Sequence, residues 1–213
     1  MDAKILDLYF IAGSQNIPAG KTLPQVLEEA LKAGITCFQW REKGRNSLAG
    51  DPAAYRELAT SCQSLCHNYQ VPFIVNDDVD LTTELDADGI HVGQEDENIQ
   101  KVRERIGPGK IIGLSVDDLA HIRQAEALDF VDYVGLGPVE KTPSKLDTAQ
   151  ALGIEGLQAI MGQGVEIPVV AIGGISPQNA RQVRKTGVDG LAFISVLSQS
   201  DHIKETIEQL RGE

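Results

Sequence analysis

Short apolar runs alternate with longer amphipathic ones along this chain, and one local phrase keeps returning: AGITCFQW from residue 33, ADGIHVG from 87, VDYVGLGP from 131 and VDGLAFIS from 188. Each reads as a helix end, a turn and then a buried strand. Strands are predicted near 8–13, 35–41, 72–77, 88–93, 110–115, 131–137, 167–173 and 190–195. Amphipathic helical patterns fill the gaps (PQVLEEALKAG, AAYRELATSCQSLCHNY, ENIQKVRERIG, LAHIRQAEA, EGLQAIMGQG, SPQNARQVRKTG and DHIKETIEQLRG), with DVDLTTEL shorter and weaker. Strand-then-helix units repeated eight times predict one α/β domain over residues 1–213, a single (β/α)8 TIM barrel. A doubly wound open sheet is the competing arrangement, but no GxGxxG follows the first strand, where a dinucleotide fold would carry it.

Composition agrees with one sizeable core: 42% of the 213 residues are hydrophobic. The formal net charge of −12 argues against general binding of nucleic acid or an anionic membrane, and no long basic run offsets it. A phosphorylated small molecule would have to be captured by a few placed cations, backbone amides or a divalent metal. Cys37, Cys62 and Cys66 are an odd number without dense spacing, which predicts free thiols in a reducing cytoplasm. Cys62 and Cys66 share a helix face with His67 adjoining, a pattern open to a metal or to plain packing, and no fourth zinc ligand is evident. MDAKILDLYF has no basic segment followed by a long apolar one, and no apolar run approaches the roughly 20 residues of a membrane helix. A homo-oligomer is compatible with this composition.

In a (β/α)8 barrel the chemistry collects just past each strand, and those positions are polar here. Alternation in Gln39-Trp40-Arg41-Glu42-Lys43 points Gln39, Arg41 and Lys43 one way and Trp40 and Glu42 the other. The first set suits a diphosphate, and a solvated strand end with an ion pair fits equally. Asn76-Asp77-Asp78 and His91-Val92-Gly93-Gln94-Glu95-Asp96 put carboxylates on neighbouring strand ends, where they could share Mg²⁺ with phosphate oxygens or merely cap helices. Ser115 is open to a ligand contact but reads first as a cap. Gly173-Gly174 after strand seven and Ile194-Ser195 after strand eight stand where barrels bind phosphate with backbone amides. Between these regions lies GPVEKTPSK at 137–145, a turn with two hydroxyls and Lys145, suited to folding over an anionic substrate or to an ordinary surface loop.

Taken together, QWREKG, PFIVNDD, ADGIHVGQED, DYVGLGP, KLDT, IPVVAIGGIS and AFIS, in this order and spacing, resemble the thiamine-phosphate synthase family over nearly the whole chain. The resemblance implies a transferase of thiamine biosynthesis. It would join 4-amino-2-methyl-5-pyrimidinylmethyl diphosphate to 4-methyl-5-(2-phosphoethyl)thiazole or its carboxylate, releasing pyrophosphate through a dissociative pyrimidine cation assisted by Mg²⁺. It further implies Asp77 and Asp96 as metal ligands and Arg41, Lys43 and Lys145 as catalytic cations. Gln39, Trp40, Arg41, Glu42, Lys43, Asn76, Ser115 and Lys145 would hold the pyrimidine diphosphate, and Thr142, Pro143, Ser144, Gly174, Ile194 and Ser195 the thiazole phosphate. Two departures stand out. The family's GPxxPTxTK is GPVEKTPSK here, and a histidine common two residues after the strand-five serine is Asp117. A thiazole tautomerase on the same barrel, associated with that histidine, and a catalytically silent precursor-binding barrel are the alternatives.

Overall fold

The computed structural model describes residues 1–94, 96–141 and 150–212. Eight parallel strands close into a barrel in sequence order, β1 Leu8–Ala12, β2 Cys37–Trp40, β3 Phe73–Asn76, β4 Gly89–Val92, β5 Ile111–Val116, β6 Tyr133–Leu136, β7 Val169–Ile172 and β8 Gly190–Phe193. Around them run α1 Leu23–Ala33, α2 Pro52–Asn68, α3 Val79–Glu84, α4 Ile99–Ile106, α5 Leu119–Glu126, α6 Gly153–Met161, α7 Ala180–Arg184, α8 Ser195–Ser198 and α9 Ile203–Arg211. The expected barrel is therefore the fold.

The strands are buried on both faces, so they read as continuous apolar runs. Their inward positions (Tyr9, Ile11, Cys37, Ile74, Tyr133, Val170 and Ala192) pack together inside the barrel. Their outward positions, such as Phe10, Phe38, Trp40, Phe73 and Phe193, pack against the helices. At roughly 1.5–3 kcal/mol for each large side chain fully buried, this double layer is the main source of stability.

The recurring phrase has a physical cause. Its second or fourth residue, just before each strand, accepts the first or second amide of the preceding strand. Thr36 Oγ1 accepts Leu8 N at 2.8 Å, and Asp88, Asp132 and Asp189 accept Phe73 N, Ile112 N and Val169 N at 2.8, 2.9 and 2.8 Å. These groups sit at the N-terminal face, where a barrel invests in stability.

Two boundaries differ from expectation. The predicted strands overrun the ladders at several ends, where Thr36, Arg41, Asp77, Asp88 and Asp132 each donate one backbone amide to the neighbouring strand without forming a ladder pair. The eighth strand ends at Phe193, and Ile194, at φ −117° and ψ −84°, turns the chain into the one-turn α8 instead of extending to residue 195. Among the described residues no helix is long and apolar enough to cross a membrane.

Candidate active site

A pocket opens at the C-terminal ends of the strands. Gln39, Arg41, Asn76 and Ser115 line one side of it, and Gly173, Gly174, Ile194 and Ser195 line the other. Arg41 offers a guanidinium that no described residue pairs with by hydrogen bond or ion pair. Ser115 sits within β5 facing inward and is not a helix cap: α5 is capped by Asp118, whose carboxylate accepts His121 N at 2.8 Å.

Asp77 and Asp96 follow β3 and β4, but neither they nor Lys43 line this pocket; Asp96 borders a separate cavity beside α4 and α5. Asp77 and Asp78 are adjacent, yet they do different work. Asp78 caps α3, accepting Leu81 N at 2.8 Å. Asp77 is held at φ +62°, a left-handed conformation that costs a non-glycine residue about 1 kcal/mol or more. That turn lets its carboxylate take the Lys43 ammonium at 2.7 Å. Asp96, which accepts Gly93 N at 2.7 Å, is near enough to Asp77 for each carboxyl to shift the other's ionisation. Asp96 is not a cap either, since α4 is capped by Asn98.

Burial pushes the Asp77 carboxyl up, and the neighbouring Asp96 pushes it further while Lys43 opposes. Asp96 lies below the ordinary range: against the upward push of its own partial burial, the hydrogen bond from Asp77, the Gly93 amide and the charge of Lys43 all favour its ionised form. Of the two, Asp77 holds its proton more tightly and Asp96 ionises more readily. Such a donor set fits a hard divalent cation. It would supply carboxylate oxygens from Asp77 and Asp96, once Lys43 gives up its hold on Asp77, with the remaining ligands coming from substrate and water. Among the described residues no group of three or more His, Cys, Asp and Glu side chains is placed to hold a metal.

The opposite side is built from backbone. Gly173 and Gly174 have φ of +93° and +71°, and a Cβ on either would lie 2.6 Å from Pro138 Cβ or Glu140 Cβ. This close approach ties the segment after β6 to the β7 loop through Val139 N to Ile172 O and Glu140 N to Gly173 O, both 2.9 Å. Asn179 locks the same corner by donating to the Gly174 carbonyl at 2.8 Å and to Glu140 Oε1 at 2.9 Å.

Two of the expected substrate contacts have side chains that face away from this pocket. Trp40 is fully buried, packing edge-on against Tyr55 of α2 with ring centroids 5.7 Å apart, and strand alternation turns it away from the pocket. Glu42 is also turned away and 7% exposed; its carboxylate accepts Ser14 N, Ser14 Oγ and Leu48 N at 2.7, 2.6 and 2.7 Å, clamping the loops after β1 and β2. Thr142, Pro143, Ser144 and Lys145 lie outside the described residues. The buried Cys37, Cys62 and Cys66 have thiols pushed up by burial, and Cys62 and Cys66 serve as helix packing.

Sequence reasoning missed the pocket's floor. Tyr9, His91 and Tyr133 stand inward from β1, β4 and β6 and join Gln39 to Ser115 through hydrogen bonds of 2.7–3.0 Å. The signal available was a lone polar or aromatic residue at an inward register position, matched by Gly113 and Gly135 on the next strands. A Cβ on Gly113 would fall 2.2 Å from the Tyr133 ring and 2.5 Å from His91 Nδ1. Asp117, also unassigned beforehand, lines the wall beside Val116.

Comparison with known proteins bears on what this mouth does. A family model described as thiamine monophosphate synthase matches residues 8–197. A thiamine-phosphate synthase from Listeria monocytogenes is 50% identical over 207 residues, covering 97% of this chain and 96% of its own. One from Oceanobacillus iheyensis is 46% identical over 209 residues, 98% of each chain. Among solved structures, a thiamine phosphate pyrophosphorylase from Pyrococcus furiosus superposes with a TM-score of 0.83 at 37% identity, covering 99% of this chain and 96% of that one. The (S)-3-O-geranylgeranylglyceryl phosphate synthase from Thermoplasma acidophilum, with a TM-score of 0.63 at 13% identity over 99% and 94%, shares the fold alone.

Proposed function

Because the chain belongs to the thiamine monophosphate synthase family, whose members are transferases that make thiamine phosphate, we propose that its barrel mouth joins a pyrimidinylmethyl diphosphate to a thiazole phosphate. On this reading 4-amino-2-methyl-5-pyrimidinylmethyl diphosphate lies on the β2–β5 side. There Gln39 and Asn76 orient the ring and its first phosphate, while Arg41, Lys43 and Ser115 face the diphosphate oxygens. The thiazole phosphate, 4-methyl-5-(2-phosphoethyl)thiazole or its carboxylate, lies on the β7–β8 side with its phosphate against backbone at Gly174, Ile194 and Ser195. The observation that carries the assignment is this asymmetry: one pocket with Arg41, Gln39, Asn76 and Ser115 on one side and a glycine-built side opposite, each suited to a different anion.

The bond between the pyrimidine methylene and the diphosphate oxygen breaks, and its electron pair leaves with pyrophosphate. The thiazole nitrogen then attacks the methylene cation with its own lone pair, forming the carbon–nitrogen bond of thiamine phosphate. Nothing need be deprotonated at that nitrogen, so the residues work by positioning and by stabilising the charge on the leaving group. Arg41 is the cation best placed for this, being unpaired among the described residues, whereas Lys43 must share itself with Asp77. Asp77 and Asp96 would hold Mg²⁺, which when bound neutralises diphosphate charge. Lys145 is assigned to the diphosphate, and Thr142 and Ser144 to the thiazole phosphate, from the family resemblance. The enzyme would work in the cytoplasm on small molecules.

Pyrophosphate and thiamine phosphate are measured in the same samples, with both precursors present, with and without Mg²⁺. Equal amounts of the two products, formed only with the metal, are expected. Isomerisation of the thiazole phosphate without pyrophosphate would overturn the reading.

A further inference from the structure

The floor of the pocket is one continuous hydrogen-bonded chain drawn from five strands. Gln39 Nε2 donates to the Tyr9 hydroxyl at 3.0 Å, and the Tyr9 and Tyr133 hydroxyls are 2.7 Å apart. The Tyr133 hydroxyl lies 3.0 Å from His91 Nδ1, and His91 Nε2 lies 3.0 Å from Ser115 Oγ. Burial holds both phenols neutral, so each has one hydrogen to give.

With the Gln39 amide donating to Tyr9, counting hydrogens sets the direction of the chain. Tyr9 already accepts from the Gln39 amide, so its own hydrogen goes to Tyr133 in preference to the neighbouring Cys37 sulfur, a weak acceptor. Tyr133 then gives its hydrogen to His91 Nδ1. A neutral ring with Nδ1 accepting carries its hydrogen on Nε2 and donates to Ser115 Oγ. The Ser115 hydrogen is left for the pocket, and Gln39 Oε1, which no described residue reaches, is left as an acceptor. Turning the Gln39 amide over reverses every link: His91 takes the Ser115 hydrogen, and the pocket loses a donor at β5 while gaining one at β2.

We propose that Tyr9, Tyr133 and His91 are positioning residues that lock the Gln39 amide and the Ser115 hydroxyl into a matched acceptor–donor pair. The pocket then selects a ligand that presents an N–H group at β2 and an anionic oxygen at β5. Naming the ligand as an aminopyrimidine diphosphate rests on the functional reading above; the direction of the chain does not. Gly113 and Gly135 support a built device, since a Cβ on the first would strike the Tyr133 and His91 rings and one on the second would sit 3.2 Å from His91 Cε1.

The decisive measurement is the ¹⁵N NMR spectrum of the His91 ring in the intact protein at about pH 8, above the ordinary imidazole range. A neutral ring protonated on Nε2 is expected, and in Tyr9→Phe, which removes only the linking hydroxyl, a mixture of tautomers. In parallel, inorganic pyrophosphate is titrated calorimetrically with Mg²⁺ present. Ser115→Ala should weaken it about tenfold in the wild-type background and only about twofold in Tyr9→Phe, where the hydroxyl is no longer aimed. A wild-type His91 protonated on Nδ1 or on both nitrogens overturns the proposal, and so does an undiminished Ser115→Ala loss in Tyr9→Phe. If Tyr9→Phe fails to fold, the wild-type spectrum decides alone. If pyrophosphate does not bind, the diphosphate reading fails while the tautomer still decides the chain.

Discussion

The two sides of the barrel mouth are made of different materials. From β2 to β5 the wall is side chains: an amide, a guanidinium and a hydroxyl, with the Lys43–Asp77–Asp96 cluster outside it. From β6 to β8 it is mostly backbone, with glycines at positive φ and the Gly174 carbonyl held by Asn179. Side chains can concentrate charge and change protonation where a bond must break. Backbone offers fixed dipoles at low cost where an anion need only be held. The first side therefore tolerates changes of shape better than changes of charge, and the second the reverse.

The sharpest way to break this contrast is to remove charge from the first side. Asp77→Ala or Asp96→Ala should lower turnover at least about a hundredfold, roughly 2.7 kcal/mol of transition-state stabilisation, as read by steady-state kinetics at saturating Mg²⁺. Near-normal turnover would remove the carboxylates from the metal site. On the second side a methyl group should suffice. Gly174→Ala meets Glu140 Cβ at 2.6 Å and must hold φ +71°, which predicts a loss of about 1–3 kcal/mol in stability with a rise of KM for the thiazole phosphate alone. Equal effects on both substrates would blur the division.

A smaller effect separates the two sides by pH. Burial raises the Asp77 carboxyl, so the folded chain binds that proton more tightly than the unfolded chain does. The stability it contributes is fully present below the ordinary value of 3.8 and is lost as pH rises through the raised folded value. In chelator, melting temperatures should therefore show wild type losing stability relative to Asp77→Asn as pH rises across that window, with Mg²⁺ restoring it. Parallel curves for the two proteins would contradict the raised Asp77 carboxyl.

Much of this architecture is legible in one dimension. Burial on both faces makes a barrel strand a continuous apolar run, and a helix must show its 3.6-residue stripe, so the alternation of units follows from local patterning. The same alternation placed Gln39 and Arg41 in the pocket and, read strictly, already turned Trp40 and Glu42 away from it. The carry-over of the whole segment from the family resemblance includes those two side chains despite the period of two. The recurring Thr36, Asp88, Asp132 and Asp189 were visible as a phrase, but the bond each makes reaches back 15 to 28 residues to the preceding strand.

What the sequence by itself determined is the set of elements, their order, and which residues stand at strand ends, because those depend on contacts within a few residues. What only the tertiary structure decided is which neighbour does the chemistry. Asp77 and Asp78 are identical in type and differ by one backbone rotation that aims the first at Lys43 and Asp96 and the second at a helix amide. Tyr9 and Tyr133, 124 positions apart, read as ordinary core aromatics until barrel closure brings their hydroxyls to 2.7 Å. Hydrogen-bond direction and shifted ionisation belong to pairs of groups, and the pairing is made by closure of the sheet.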